Sequence, residues 1–169
     1  MDPAMQHVGG MLEILARLTV ATVIGCVLGL NRELHGKPAG VRTHGLVTLG
    51  AALLTITGVE LSWLGGKVDY AAVSRTIQGI ITGIGFLGAG VILRDDLKHS
   101  VHGLTTAASI WLAACLGIAC GLGFWTTAVM ALGLTLLILI FGGPFERAVH
   151  KRFPHREPLP GEDPPQDNC

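Results

Sequence analysis

The chain has 169 residues, 50% of them hydrophobic and 14% charged, with 24 glycines and a mean hydropathy of +0.55. Soluble proteins average about 25% charged residues and about 7% glycine, so this composition does not fit a soluble domain and makes the lipid bilayer the expected solvent. Twelve basic and twelve acidic side chains cancel to a formal charge of zero, which removes the global electrostatic case for a nucleic-acid partner.

Taken in chain order, residues 1–11 are an outer N-terminal segment and 12–30 a first apolar run of the length a membrane helix needs. That run carries Glu13 and Arg17 and is followed by further apolar runs, so it is a first span rather than a cleaved signal peptide. A second span is expected near 45–64 and a third near 76–93. From Gly103 to Phe145 there are 43 residues without a charged side chain, twice what one helix needs at 1.5 Å per residue. Two spans are therefore expected, 104–122 and 124–142, with the turn at Gly121-Leu122-Gly123, where glycine relaxes the backbone. The fold class is all-α, a polytopic bundle of five transmembrane helices within a membrane domain 12–143, with the glycine-rich third helix central. The tail, 144–169, is basic and apolar up to Phe153, suited to an anionic inner leaflet. Beyond that it is proline-rich and expected to be mostly disordered. Cys26, Cys115, Cys120 and Cys169 form no C-x-x-C pair, so neither a disulfide framework nor a zinc site is indicated.

Lysine and arginine set the orientation. Arg32, Lys37, Arg42, Arg94, Lys98, Arg147, Lys151, Arg152 and Arg156 fall on one side, and only Lys67 and Arg75 on the other. By the positive-inside rule the N-terminus is outside and the tail cytoplasmic. Trp63, Tyr70 and Trp125 then fall at the outer interface, where amphipathic rings are favoured.

Gly83-Ile84-Gly85-Phe86-Leu87-Gly88 matches the dinucleotide pattern G-x-G-x-x-G but lies inside an apolar span, without the flanking strand or the downstream acidic residue that reading needs. Packing is the better account. Gly79 and Gly83 are spaced G-x-x-x-G, as are Gly25 and Gly29 in span 1 and Gly117 and Gly121 in span 4, and Gly85, Gly88 and Gly90 extend the third set. Such small residues let helices approach closely in lipid. The contact they make is within the fold, in a homo-oligomer or against a membrane-protein partner, and sequence does not choose among these. There is no P-loop, and no nucleophile, base and orienting group recur together, so no enzyme and no cofactor are expected.

Two polar groupings remain. In the outer half, Glu13, Arg17, Glu60, Arg75 and Gln78 are read as an ion-paired clamp across spans 1 to 3, in preference to the mouth of a solute pathway. On the cytoplasmic side, spans 2 and 4 both begin beside basic loops, so Arg32, Lys37, Arg42, Thr43, His44, Arg94, Thr105, Thr106 and Ser109 form a candidate anion site in which free helix amides add to the basic charge. The plainer reading, with equal weight, is that basic loops orient the protein and threonines cap helices. Asp95 and Asp96 are a weak candidate for a hard cation. Otherwise no metal site is indicated.

Four blocks in order carry a resemblance. Gly29-Leu30-Asn31-Arg32-Glu33, Gly36 to His44, Gly83 to Leu93, and Gly103 to Ser109 with Trp111 closely resemble the MgtC/SapB family over roughly residues 12–142. The resemblance implies a multi-pass protein of the bacterial inner membrane linked to magnesium limitation and virulence. It also implies a non-enzymatic regulator of another membrane complex, such as the F-type ATP synthase. A small-ion transporter or channel for magnesium or phosphate is the alternative. Family members commonly have glutamate where this chain has Asn31, and longer members carry an ACT-like regulatory domain after the last span. On the resemblance this chain is expected to be of the shorter, SapB-like type.

Overall fold

A computed structural model describes residues 10–64, 67–95 and 100–152. Five helices follow one another: α1 (Met11–Leu34), α2 (Val41–Leu61), α3 (Tyr70–Val91), α4 (Leu104–Gly121) and α5 (Trp125–Arg152). Two short antiparallel hairpins join them, β1 (Trp63–Leu64) with β2 (Lys67–Val68), and β3 (Leu93–Asp95) with β4 (Ser100–His102). The fold is all-α, and α1, α2, α4 and the Trp125–Pro144 part of α5 are each long and apolar enough to cross a membrane. α3 stands where the third span is expected, but Ser74, Arg75 and Gln78 in its first turns make it less apolar. The expected disorder of the tail falls on residues 153–169, outside the described residues, as do residues 1–9.

The helix ends follow from local chemistry. Asp69 caps α3 by accepting from the amides of Ala71 at 2.9 Å and Ala72 at 3.2 Å, the favoured role of aspartate before a first turn. Gly103 opens α4 with a φ of +93°, and a Cβ there would run into the Val91 carbonyl, so the turn into α4 requires glycine. The turn between the last two helices falls at the expected glycines: α4 ends at Gly121 and Gly123 has a φ of +80°.

Residues up to Leu134 form one compact unit and those from Thr135 a second. In the first, α2 and α4 each pack against the other three of α1 to α4. They run parallel to each other, since Gly117 meets Ala51 and Gly121 meets Thr55. The approaches are close enough that added methyl groups would clash. A Cβ at Gly29 would lie 2.6 Å from the Gly40 carbonyl, one at Gly25 2.6 Å from that of His44, and one at Gly121 2.9 Å from that of Ala52. Thr48 and Thr55 at this seam turn their hydroxyls onto backbone carbonyls of their own helix, which satisfies them without water. The apolar core gathers Ala51, Ile84, Ile110, Ala114 and Ile118.

The expectation of a central third helix is corrected. Ten residues of α4 are buried, against Ile84 alone in α3. A Cβ on Gly79, Gly83, Gly85 or Gly90 would meet nothing within 4 Å, and one on Gly88 makes only ordinary contact with Ala107. The reason is that G-x-x-x-G permits close approach but does not choose the partner, and here α1 and α4, not α3, supply the glycines that seat on α2. The second unit is the rest of α5, whose helix continues through Pro144 to Arg152, past the expected end of the span.

Candidate functional site

The polar groups of α1 lie on its buried stripe, Arg17, Ala21, Ile24, Gly25, Leu28, Gly29 and Arg32, a 3.6-residue periodicity with an arginine at each end. At the N-terminal end, Arg17 is 4% exposed. Its Nε donates to Glu13 Oε1 at 3.1 Å, its Nη2 pairs with the same oxygen, and its Nη1 donates to the Gly121 carbonyl at 2.7 Å. The cation thus meets a carboxylate and the negative end of α4, where the last carbonyls lack helical partners.

At the other end, Arg32 is also 4% exposed. Its Nη2 donates to Thr106 Oγ1 at 2.6 Å in the first turn of α4, and its buried Nε has no partner. His44, 0% exposed, completes the cluster. Its Nδ1 lies 3.1 Å from the Gly40 carbonyl and its Nε2 3.2 Å from Ser109 Oγ, while Ser109 Oγ is 2.8 Å from the Thr106 carbonyl. A carbonyl accepts only, so a proton on His44 Nδ1 is directed at the Gly40 carbonyl and the Ser109 hydroxyl proton at the Thr106 carbonyl. Three helices meet here through side chains: Arg32 from α1, His44 from α2, Thr106 and Ser109 from α4.

The structure therefore brings together Arg32, His44, Thr106 and Ser109 of the expected anion site. Lys37, Arg42, Thr43 and Thr105 are exposed and stand outside the cluster. Arg94 lies in β3, paired in register with Val101. The first amide of α2 is already served by an acid, since Glu33 Oε2 accepts from Val41 at 3.2 Å. Gly40 and Glu33 are the participants that the sequence reading missed. Glu33 is signalled by lying beside Arg32 in the last turn of α1, close to where α2 must begin.

The expected clamp across spans 1 to 3 does not form. Glu13 and Arg17 pair within α1, Arg75 lies 3.7 Å from Asp69 instead, Gln78 bonds to Ser74 on its own helix, and Glu60 is exposed. The i, i+4 spacing and the local cap satisfy these side chains more cheaply than a three-helix network would. Asp95 lies in β3, and Asp96 falls outside the described residues. Among the described residues no three of His, Cys, Asp and Glu gather as metal ligands.

A separate apolar groove of about 560 Å³ opens between α2 and α3, bordered by Leu46, Gly50, Leu54, Gly79, Gly83 and Leu87. Gly79 and Gly83, where an added Cβ would meet nothing within 4 Å, thus line this groove.

The family model described as "MgtC family" matches residues 18–148. The chain is 42% identical to Protein SrpB of Synechococcus elongatus, covering 78% of this chain and 75% of SrpB. It is 36% identical to the "Putative magnesium transporter YhiD" of Escherichia coli K12, covering 75% of this chain and 59% of YhiD. It is also 36% identical to Protein MgtC of Salmonella typhimurium, covering 76% of this chain but 51% of that protein. The chain thus spans less than two thirds of the latter two. No solved structure matches it.

Proposed function

The chain belongs to the MgtC family and is a multi-pass membrane protein linked through that family to magnesium; from that premise we propose that it is a non-enzymatic regulator that acts by docking a helix of another membrane protein. On this reading it sits in the bacterial inner membrane with its N-terminus outside and its tail cytoplasmic, and it serves adaptation to scarce magnesium. The F-type ATP synthase is the partner the family resemblance suggests.

One observation carries the choice of regulator over magnesium transporter. The charged side chains buried among the described residues are both arginines, Arg17 and Arg32, one at each end of the α1–α4 contact. A divalent cation requires oxygen ligands, usually carboxylates, and a fixed positive charge in a medium of low dielectric repels it. The open α2–α3 groove supplies the complementary surface. Its glycines are free to receive a helix at close range, and such contacts drive association in lipid.

The test has two readouts, one in proteoliposomes and one in cells. Proteoliposomes holding only this protein and a magnesium indicator should show no saturable magnesium flux. Gly83→Leu, which points into open space, should yield folded protein that no longer supports growth in low magnesium. Saturable flux favours the transporter instead, and normal growth by folded Gly83→Leu removes the groove from function.

A further inference from the structure

We infer that the Arg32 cluster is a binding site for a phosphate group, carried either by free phosphate or by an anionic phospholipid headgroup. The observations are independent of the groove and of the regulator reading. A guanidinium has five N–H donors, and among the described residues Arg32 uses them for one hydrogen bond, to Thr106, while its buried Nε is unpartnered. Arg32 has no ion pair there either, because Glu33, the acid next to it, serves the Val41 amide. A buried cation without a counter-charge is costly.

The surroundings supply further donors, and the neighbouring carboxylate among the described residues, Glu33, is engaged by the Val41 amide. Gly103, before the first turn of α4, has no side chain with which to cap it, and that turn lies at the positive end of the helix dipole. Thr106, one residue group into that turn, already touches Arg32. Lys37 and Arg42 are exposed on the adjoining chain segments and add positive charge to that end of the bundle. Several donors from different directions suit the many acceptor oxygens of a phosphate better than the two of a carboxylate. His44, held between Gly40 and Ser109, fixes the α2–α4 spacing on which the site depends.

The experiment uses the whole chain in nanodiscs of phosphatidylcholine, reading the unfolding midpoint against added inorganic phosphate, and in a second arm against replacement of part of the lipid by phosphatidylglycerol. Binding to the folded state raises the midpoint by mass action. The wild type should be stabilised in at least one arm, and which arm responds identifies the source of the phosphate. Acetate at equal ionic strength should do little. Arg32→Gln should weaken the effect by about 10- to 100-fold, the loss of one charge-assisted contact, whereas Arg42→Gln should keep most of it. If Arg32→Gln does not fold, Arg32→Lys decides, since it keeps the charge and loses Nε and the fork. Two results would overturn the proposal: no response in either arm, or an equal response in the Arg32 variants.

Discussion

The two buried arginines of α1 sit on one stripe about four turns apart, equally shielded, yet their surroundings differ in kind. Arg17 has a carboxylate, the carbonyl end of α4 and all three of its nitrogens engaged. Arg32 faces the amide end of the same helix with one hydrogen bond and an orphaned Nε. Its own helix helps, since a cation in the last turn of α1 suits that dipole, but among the described residues it has no ion pair. The contrast teaches that burial alone does not distinguish a structural arginine from a functional one. What distinguishes them is whether the fold has completed the partner set.

The largest expected effect breaks the comparison directly. Arg17→Met should cost about 2–3 kcal/mol, because it strands the Gly121 carbonyl and removes the partner of Glu13. Arg32→Met should leave stability unchanged or raise it by about 1 kcal/mol, as replacement of a poorly compensated buried charge by an apolar side chain can do. Thermal unfolding of the two proteins in the same detergent measures both, and equal losses would mean that the ends are equivalent. A second pair probes the turns at either end of α4. Gly103→Ala should cost about 2 kcal/mol, from its left-handed backbone and the collision with the Val91 carbonyl. Gly123→Ala should cost about 1 kcal/mol, since its methyl would meet only the tip of Arg17, 3.2 Å away. Reversal of that order would show the Arg17 end to be the more rigid. The smallest effect belongs to Glu13→Gln. The Glu13 side chain is 40% exposed, so loss of its charge should cost about 0.5 kcal/mol, measurable as a reduced dependence of the unfolding midpoint on salt.

The helices were legible because apolar length in a bilayer permits few alternatives, and the break at Gly121 to Gly123 was legible because that charge-free run is too long for one span. The seats of Gly25, Gly29, Gly117 and Gly121 on α2 follow from the same small-residue spacing. That spacing was equally clear in α3, where it misled, because a motif states what a helix can accept and not what arrives. The polar cluster was legible in part. His44, Thr106 and Ser109 stood near helix starts, but attention to loop charge favoured Arg42, which the structure leaves exposed. Arg32 carried a signal that was available, its place on the stripe with Gly25 and Leu28. Loop position outweighed helical phase, and phase was the better guide.

Pro144 has a mechanical consequence. Lacking an amide hydrogen, it leaves the carbonyl of Ile140 without its helical donor, a group that hydrocarbon does not tolerate unless water or another donor reaches it. The stretch Trp125–Pro144 has 20 residues, about 30 Å of helix and so about one hydrocarbon thickness. An aromatic ring marks one margin, and a carbonyl without its i+4 donor lies one turn inside the other. A displacement of α5 by one turn toward Trp125 would carry that carbonyl deeper into oil, out of reach of interfacial water, and the reverse displacement would draw Trp125 inward from the interface it favours. Vertical displacement therefore costs free energy in both directions, so tilt or rotation about its axis is the cheaper motion for α5.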